Sequence, residues 1–386
     1  MTVDGQYVSS NQVWQSSPVF YGSTKFQKSQ VIRNILITGG AGFIASWICR
    51  HLALQYEHYN VVCFDRLDYC ASLNNIAYLV ANCPNFTFVK GDITSPAQVS
   101  NVLSEHKIDT VLHLAALSHV DLSFGQHSFE FTSVNVYGTH VLLESCKDYG
   151  NIKRFVHMST DEVYGEVHSH DTDLLESAIL SPTNPYAATK AASDMIANAY
   201  FKSFHLPIII VRCNNVYGAH QFPEKIIPKF VCLLQAGKKC LVHGDGSHTR
   251  RYIYAGDAVD AVDTVLHKGV VGQIYNIGTS DEISNLELCK RILQGFGYNE
   301  QDYSNHIQHT NDRPFNDRRY AIDASRLRDL GWLPKTSLHD GLKQTIEWYR
   351  NYGQTWWGDV TAMLTAFPKQ DHMLYRQSSS SASSAI

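Results

Sequence analysis

An apolar run, Asn34–Thr38, empties directly into Gly39-Gly40-Ala41-Gly42 and then into a helical pattern over residues 43–56. A strand that turns on glycines into a helix commits the next strand to return parallel to the first, because a crossover helix must lie on the sheet face. The pattern repeats. Apolar strand-sized runs follow at 61–65, 86–90, 110–114, 154–159 and 207–212, with helical stretches such as 73–82 between them. Runs that are apolar on both faces belong to strands covered on both sides, so the chain reads as α/β with a doubly wound parallel sheet. Beyond residue 214 the spacing loosens into shorter strands and helical stretches at 226–235, 258–267, 286–294 and 341–350, which describes a smaller C-terminal α/β lobe. The expected division is 31–213 for the sheet domain, with 250–276 returning to it, and 214–249 plus 277–366 for the lobe. The polar residues 1–30 and the serine-rich 367–386 carry no period and are expected to be a disordered arm and tail.

Charge and composition narrow the function. A chain of 386 residues with net charge -4 lacks the basic footprint of a nucleic-acid or anionic-membrane binder. No apolar run reaches membrane-spanning length, and residues 1–30 do not follow the plan of a secretory signal. The nine cysteines form no CxxC pair and the nineteen histidines show no metal-ligand spacing, so no metal is expected. Free thiols fit a cytoplasmic protein.

The glycine string fits a Rossmann-type dinucleotide site. Gly39 and Gly42 let the backbone approach a pyrophosphate, the helix start at Phe43 and Ile44 offers amide donors, and Ala45 fills the third small position. The second strand ends at Asp65, twenty-three residues after Gly42, where a carboxylate can bind ribose hydroxyls and repel a 2′-phosphate. Arg66 argues the other way, so NAD is favoured over NADP without being dictated. The loops Leu67-Asp68, Asp92-Ile93 and Leu114-Ala115-Ala116 complete the cofactor set. An ordinary strand-helix turn with a capping aspartate would need the same glycines.

Asn184-Pro185 opens a helix, Asn as cap and Pro at its first position. Tyr186 and Lys190 then share one face, four residues apart, so that the ammonium would lower the phenol pKa and let tyrosine take a proton from an alcohol as NAD takes the hydride. Alone, such a pair is as readily a surface tyrosine and lysine; after a glycine-rich turn it becomes specific.

These motifs, with Met158-Ser159-Thr160-Asp161-Glu162-Val163-Tyr164-Gly165, resemble the extended short-chain dehydrogenase/reductases, and Thr160-Asp161-Glu162 resembles the nucleotide-sugar 4,6-dehydratases among them. The likeness runs from about residue 32 to 349. It implies that Tyr186 deprotonates the 4-hydroxyl beside Thr160 and that Lys190 tunes the tyrosine. Glu162 would remove the C5 proton and Asp161 protonate the departing C6 hydroxyl. Asp161 must then stay protonated near neutrality, which asks for burial or a like-charged neighbour. A solvated turn with capping carboxylates is the plain alternative for the acid pair. A nucleotide diphosphate needs cations and amides, for which Lys225, Arg250, Arg313 and Asn215 are the candidates. Ser118, Asn285 and Asp317 match further substrate positions, while Arg251, Arg318 and Arg319 are expected in surface ion pairs.

The extension Trp356-Trp357-Gly358-Asp359-Val360 and the string Arg313-Pro314-Phe315-Asn316-Asp317 resemble eukaryotic UDP-glucose 4,6-dehydratases and the dehydratase half of plant UDP-rhamnose synthases. UDP-glucose is the expected substrate and dTDP-glucose the alternative. A 4-epimerase has no use for the acid pair, and a catalytically silent NAD sensor would not need Tyr186 and Lys190. The resemblance further implies a homodimer built on 129–149 and 186–205, and a separate epimerase/reductase to finish a deoxysugar.

Overall fold

Seven parallel strands form the central sheet of the computed structural model, which describes residues 26–125, 127–168, 172–313 and 315–367. They are β1 (Asn34–Thr38), β2 (Asn60–Asp65), β3 (Phe86–Lys90), β4 (Thr110–His113), β5 (Arg154–Thr160), β6 (Ile208–Cys213) and β10 (Ile274–Ile277), in the order β10-β6-β5-β4-β1-β2-β3. The central strands are buried on both faces, as their unbroken apolar sequences require; every residue of β6 is buried. Helices α1 (Phe43–Gln55), α2 (Ala77–Asn82), α3 (Pro96–Glu105), α4 (Thr139–Tyr149) and α5 (Pro185–Phe204) are the crossovers. The order reverses beside β1, whose neighbours are β2 and β4. A crevice therefore opens where the loops after β1 and β4 part in opposite directions.

The smaller lobe holds a three-stranded sheet of β7 (Asn215–Tyr217), β9 (Thr249–Tyr254) and β11 (Glu282–Ser284), and a parallel pair of β8 (Cys240–His243) with β12 (Ile307–Thr310). Helices α6 (Ile226–Gln235), α8 (Asn285–Phe296) and α9 (Leu338–Trp348) cover them, and α7 (Ala255–Lys268) leads back to the main sheet. The return expected over 250–276 thus begins later: β9 stays in the small sheet, and only α7 and β10 rejoin the large one.

The helix expected over 73–82 is also broken. Ser72 caps a single turn, Leu73–Asn75, by accepting the Asn74 amide, and Ile76 at φ -123° separates that turn from α2. Apart from residues 26–30 and 367, the expected arm and tail lie outside the described residues. All nine cysteines are free, and among the described residues no helix is long and apolar enough to cross a membrane and no group of side chains could hold a metal.

Candidate active site

The turn after β1 is built for close approach. Gly39 has φ +70°, and a Cβ there would stand 2.8 Å from the Ala115 Cα in the loop after β4. Only glycine lets the two strand-end loops touch. The Gly42 amide closes the turn on the Gly39 carbonyl at 3.0 Å. Asp65 at the end of β2 accepts from the Ala41 amide at 3.0 Å and the Leu67 amide at 2.6 Å, which orients its carboxyl across the crevice floor. Arg66 pairs with Asp68 and, at 3.4 Å, with Asp92, so its charge is already balanced by two carboxylates. That arrangement favours a ribose with free hydroxyls over one carrying a 2′-phosphate.

Gly39, Gly42, Phe43, Ile44, Asp65, Arg66 and Asp68 line this crevice together with Asp92, Ile93 and Leu114 to Ala116. Leu67 does not; its part is the amide that holds Asp65. The glycine contacts, the oriented carboxyl and the open crevice fit NAD, and Tyr186 and Lys190 stand at its inner end.

Thr160 is the last residue of β5, next to both acids. Its hydroxyl accepts from the Glu162 amide at 3.3 Å and donates to Asp161 Oδ1 at 3.2 Å, and it lines the crevice together with Tyr186. Asp161 is buried, and its Oδ2 accepts from Asn214 Nδ2 at 2.7 Å. Burial and the adjacent Glu162 push its carboxyl up to about 7. Glu162 is raised by burial too, against the pull of Arg250, and its Oε2 accepts from Asn184 Nδ2 at 3.1 Å. Asn184 is bound at its other end as the cap of α5, accepting the Ala187 amide at 2.8 Å.

One expectation fails. Lys190 Nζ donates to the Met158 carbonyl at 2.7 Å, and burial pushes the lysine down to about 8. The Tyr186 phenol is raised, not lowered, by burial and by the charges of Glu162 and Asp161.

A second pocket shares Ser118, Glu162, Asn215 and Lys225 with the crevice and runs on into the smaller lobe. Arg250, Asn285, Arg313 and Asp317 also line it; Thr160 lines only the crevice. Lys225 Nζ donates to the Ser118 carbonyl at 2.6 Å. Arg313 pairs with Asp121 at 2.5 Å. Arg250 donates to the Asp317 carbonyl at 2.9 Å and lies 4.5 Å from the Tyr320 ring. The Asp317 carboxylate braces the wall, accepting from Thr183 at 2.7 Å and from Tyr320. Lys229, His119 and Asp121 also line this pocket, unforeseen because nothing in their local sequence marks them. Arg251 and Arg319 form the expected ion pairs with Asp173 and Glu282.

Comparison with known proteins agrees with this geometry. The family model described as GDP-mannose 4,6 dehydratase matches residues 36–345. A trifunctional UDP-glucose 4,6-dehydratase/UDP-4-keto-6-deoxy-D-glucose 3,5-epimerase/UDP-4-keto-L-rhamnose-reductase of Arabidopsis thaliana is 49% identical over 341 residues, covering 87% of this chain and 50% of that protein. The chain thus spans about half the length of the plant relatives it matches. The human dTDP-D-glucose 4,6-dehydratase is 46% identical over 338 residues, 87% of this chain and 95% of that one. A dTDP-glucose 4,6-dehydratase of Streptomyces venezuelae, solved with NAD bound, superposes with TM-score 0.79 at 38% identity over 84% of this chain and 99% of its own.

Proposed function

Because this chain belongs to the family of NAD-dependent nucleotide-sugar 4,6-dehydratases, within the extended short-chain dehydrogenase/reductases, we propose that it converts UDP-glucose to UDP-4-keto-6-deoxyglucose and water. The observation that carries the dehydration is the acid pair: two adjacent carboxyls in the pocket of Tyr186, one pushed up to about 7 and bonded by Asn214 and Thr160, the other held by Asn184. Bound in the crevice, NAD would supply a hydride acceptor for C4 of the sugar and a hydride donor for C6.

The protein groups do the rest. Tyr186 removes the 4-hydroxyl proton, and Thr160 holds that oxygen. Tyr186 takes that proton as the phenolate, so it must lose its own proton before the sugar is oxidised. Lys190, fixed by Met158, places a positive charge on the side of the phenolate that begins the step. With a ketone at C4 the C5 proton is acidic; Glu162, oriented by Asn184, removes it and returns it to C5 when hydride adds at C6. Asp161, protonated and oriented by Asn214, donates to the departing C6 hydroxyl. Lys225, Arg250 and Arg313 bind the diphosphate, and Ser118, Asn215, Asn285 and Asp317 shape the rest of the substrate pocket.

The preference for uridine rests on the plant relatives and on the Trp356-Trp357 extension. dTDP-glucose is the second reading, favoured by the human and Streptomyces proteins. A pocket that hydrogen-bonds the ribose 2′-hydroxyl discriminates against its absence, and we expect kcat/KM for UDP-glucose to exceed that for dTDP-glucose by about tenfold or more. A ratio of one or less transfers the assignment to dTDP-glucose.

The same reading makes the chain a homodimer. Phe129, Tyr137, Met195 and Phe204 are large, apolar and more than half exposed on the segments 129–149 and 186–205. Epimerisation and reduction of the product need further acid–base and hydride chemistry, which we assign to a separate catalytic unit. Nine free thiols suit a reducing compartment such as the cytoplasm.

A further inference from the structure

After α9 the chain leaves the smaller lobe and crosses to the outer side of the cofactor turn. Tyr349–Gly353 winds as a π-turn, Gln354–Trp357 adds one helical turn, and Trp356 is buried at its end. This segment lies beyond residues 36–345, the region the family model matches.

The Trp356 indole Nε1 donates to Asn75 Oδ1 at 2.7 Å. Asn75 is wholly buried, and its Nδ2 donates to the Ala41 carbonyl at 2.8 Å. Ala41 stands inside the glycine-rich turn. Its amide is held by Asp65 and its carbonyl by Asn75 together with the Ser72 amide at 3.1 Å. A second bond, Asn74 Nδ2 to the Trp356 carbonyl at 2.9 Å, ties the two segments again. The indole also stacks on His220, with centroids 4.6 Å apart and planes 6° from parallel.

The direction of these bonds matters. An asparagine amide can rotate by half a turn and exchange its oxygen with its nitrogen, and an indole N–H is only a donor. Bonding to Trp356 therefore selects the orientation in which Asn75 presents its NH₂ to Ala41. The reverse orientation would set two carbonyl oxygens against each other in a dry site.

We propose that Trp356 is a positioning residue for NAD: through Asn75 it holds the Ala41 carbonyl, and so fixes where the amides of the glycine-rich turn point. The inference rests on the NAD reading of the crevice, and wild-type protein that failed to bind NAD would refute that reading and not the strut.

The experiment titrates NAD into the purified full chain and measures the concentration for half saturation, the NAD retained after gel filtration, and steady-state kinetics. Trp356→Phe keeps a ring over His220 and deletes the donor. We expect NAD to bind about tenfold more weakly, with KM for the nucleotide sugar and kcat at saturating NAD both near wild type. Trp357→Phe makes the same chemical change one residue on, where the ring packs on Phe222 at 5.0 Å, and should bind NAD as wild type does. Asn75→Ser should match Trp356→Phe, and the double variant should be no worse than Asn75→Ser alone, since both act through one chain of bonds. Wild-type NAD affinity in Trp356→Phe, an equal loss in Trp357→Phe, additive losses in the double variant, or failure of Trp356→Phe to fold would each overturn the proposal, the last by assigning the indole to stability alone.

Discussion

Asp161 and Glu162 are neighbours in the chain, yet their side chains engage different amides, Asn214 for the first and Asn184 for the second. The difference suits an acid and a base, and it can be read in kinetics. Tyr186→Phe should prevent oxidation, so that mixing with substrate gives no reduced cofactor. Glu162→Gln should permit oxidation and block elimination, so that the reduced-cofactor absorbance rises while turnover falls by about 10²–10⁴-fold. Normal turnover in Glu162→Gln would remove it from the mechanism. Asp161 adds a pH dependence. Its carboxyl ordinarily titrates at 3.8 and in the folded chain at about 7. Its acid form persists to neutrality, and kcat should fall as pH rises through about 7. The linkage has the same sign: the folded state holds a proton that the unfolded chain has released, so Asp161 lowers stability as pH climbs from 3.8 to about 7. Asp161→Asn should therefore raise Tm at pH 8 relative to wild type more than at pH 5, while abolishing dehydration. Equal Tm shifts at both values would contradict a raised Asp161.

At the scale of the element, the glycine turn and α5 do most of the positioning. Gly39 and Gly150 have nearly the same φ, +70° and +73°, but a methyl at 150 would meet nothing within 4 Å while one at 39 would strike Ala115. Gly150→Ala should cost about 1 kcal/mol in thermal or denaturant unfolding, the backbone term alone. Gly39→Ala should cost more and weaken NAD binding as well; equal effects would show that the close approach is unimportant. The turn, the strands and the Tyr186–Lys190 spacing were legible in the sequence because each is local, a matter of period or of neighbours within four residues. The Asn214 bond to Asp161 was not. It spans fifty-three positions and exists because β5 and β6 pair with Thr160 opposite Cys213. The bond from Lys190 to the Met158 carbonyl was hidden for the same reason: its spacing from Tyr186 was visible, but Met158 belongs to β5 and Lys190 to α5. The Asn184 cap was foreseen, though not its second bond to Glu162, because the catalytic loop and α5 meet only in three dimensions.

For the whole molecule, the two lobes are one chain laced twice across the crevice. After β6 the chain leaves for the smaller lobe and comes back as α7 and β10, and β10 covers the outer side of β6. A fragment of residues 31–213 would keep the cofactor turn yet leave Ile208–Cys213, apolar but for Arg212, as an uncovered edge. Such a fragment should be recovered mainly as aggregate, whereas residues 26–367 should stay in solution; a monodisperse 31–213 fragment in light scattering would show that β10 is dispensable. Synthesis on the ribosome passes through this state. Sixty-four residues separate the end of β6 from the end of β10, on the order of ten seconds of elongation. For that interval the nascent chain carries an open strand edge that any other β-prone segment can join. The order in which this sheet is threaded therefore leaves its last internal edge open until residue 277 has been made.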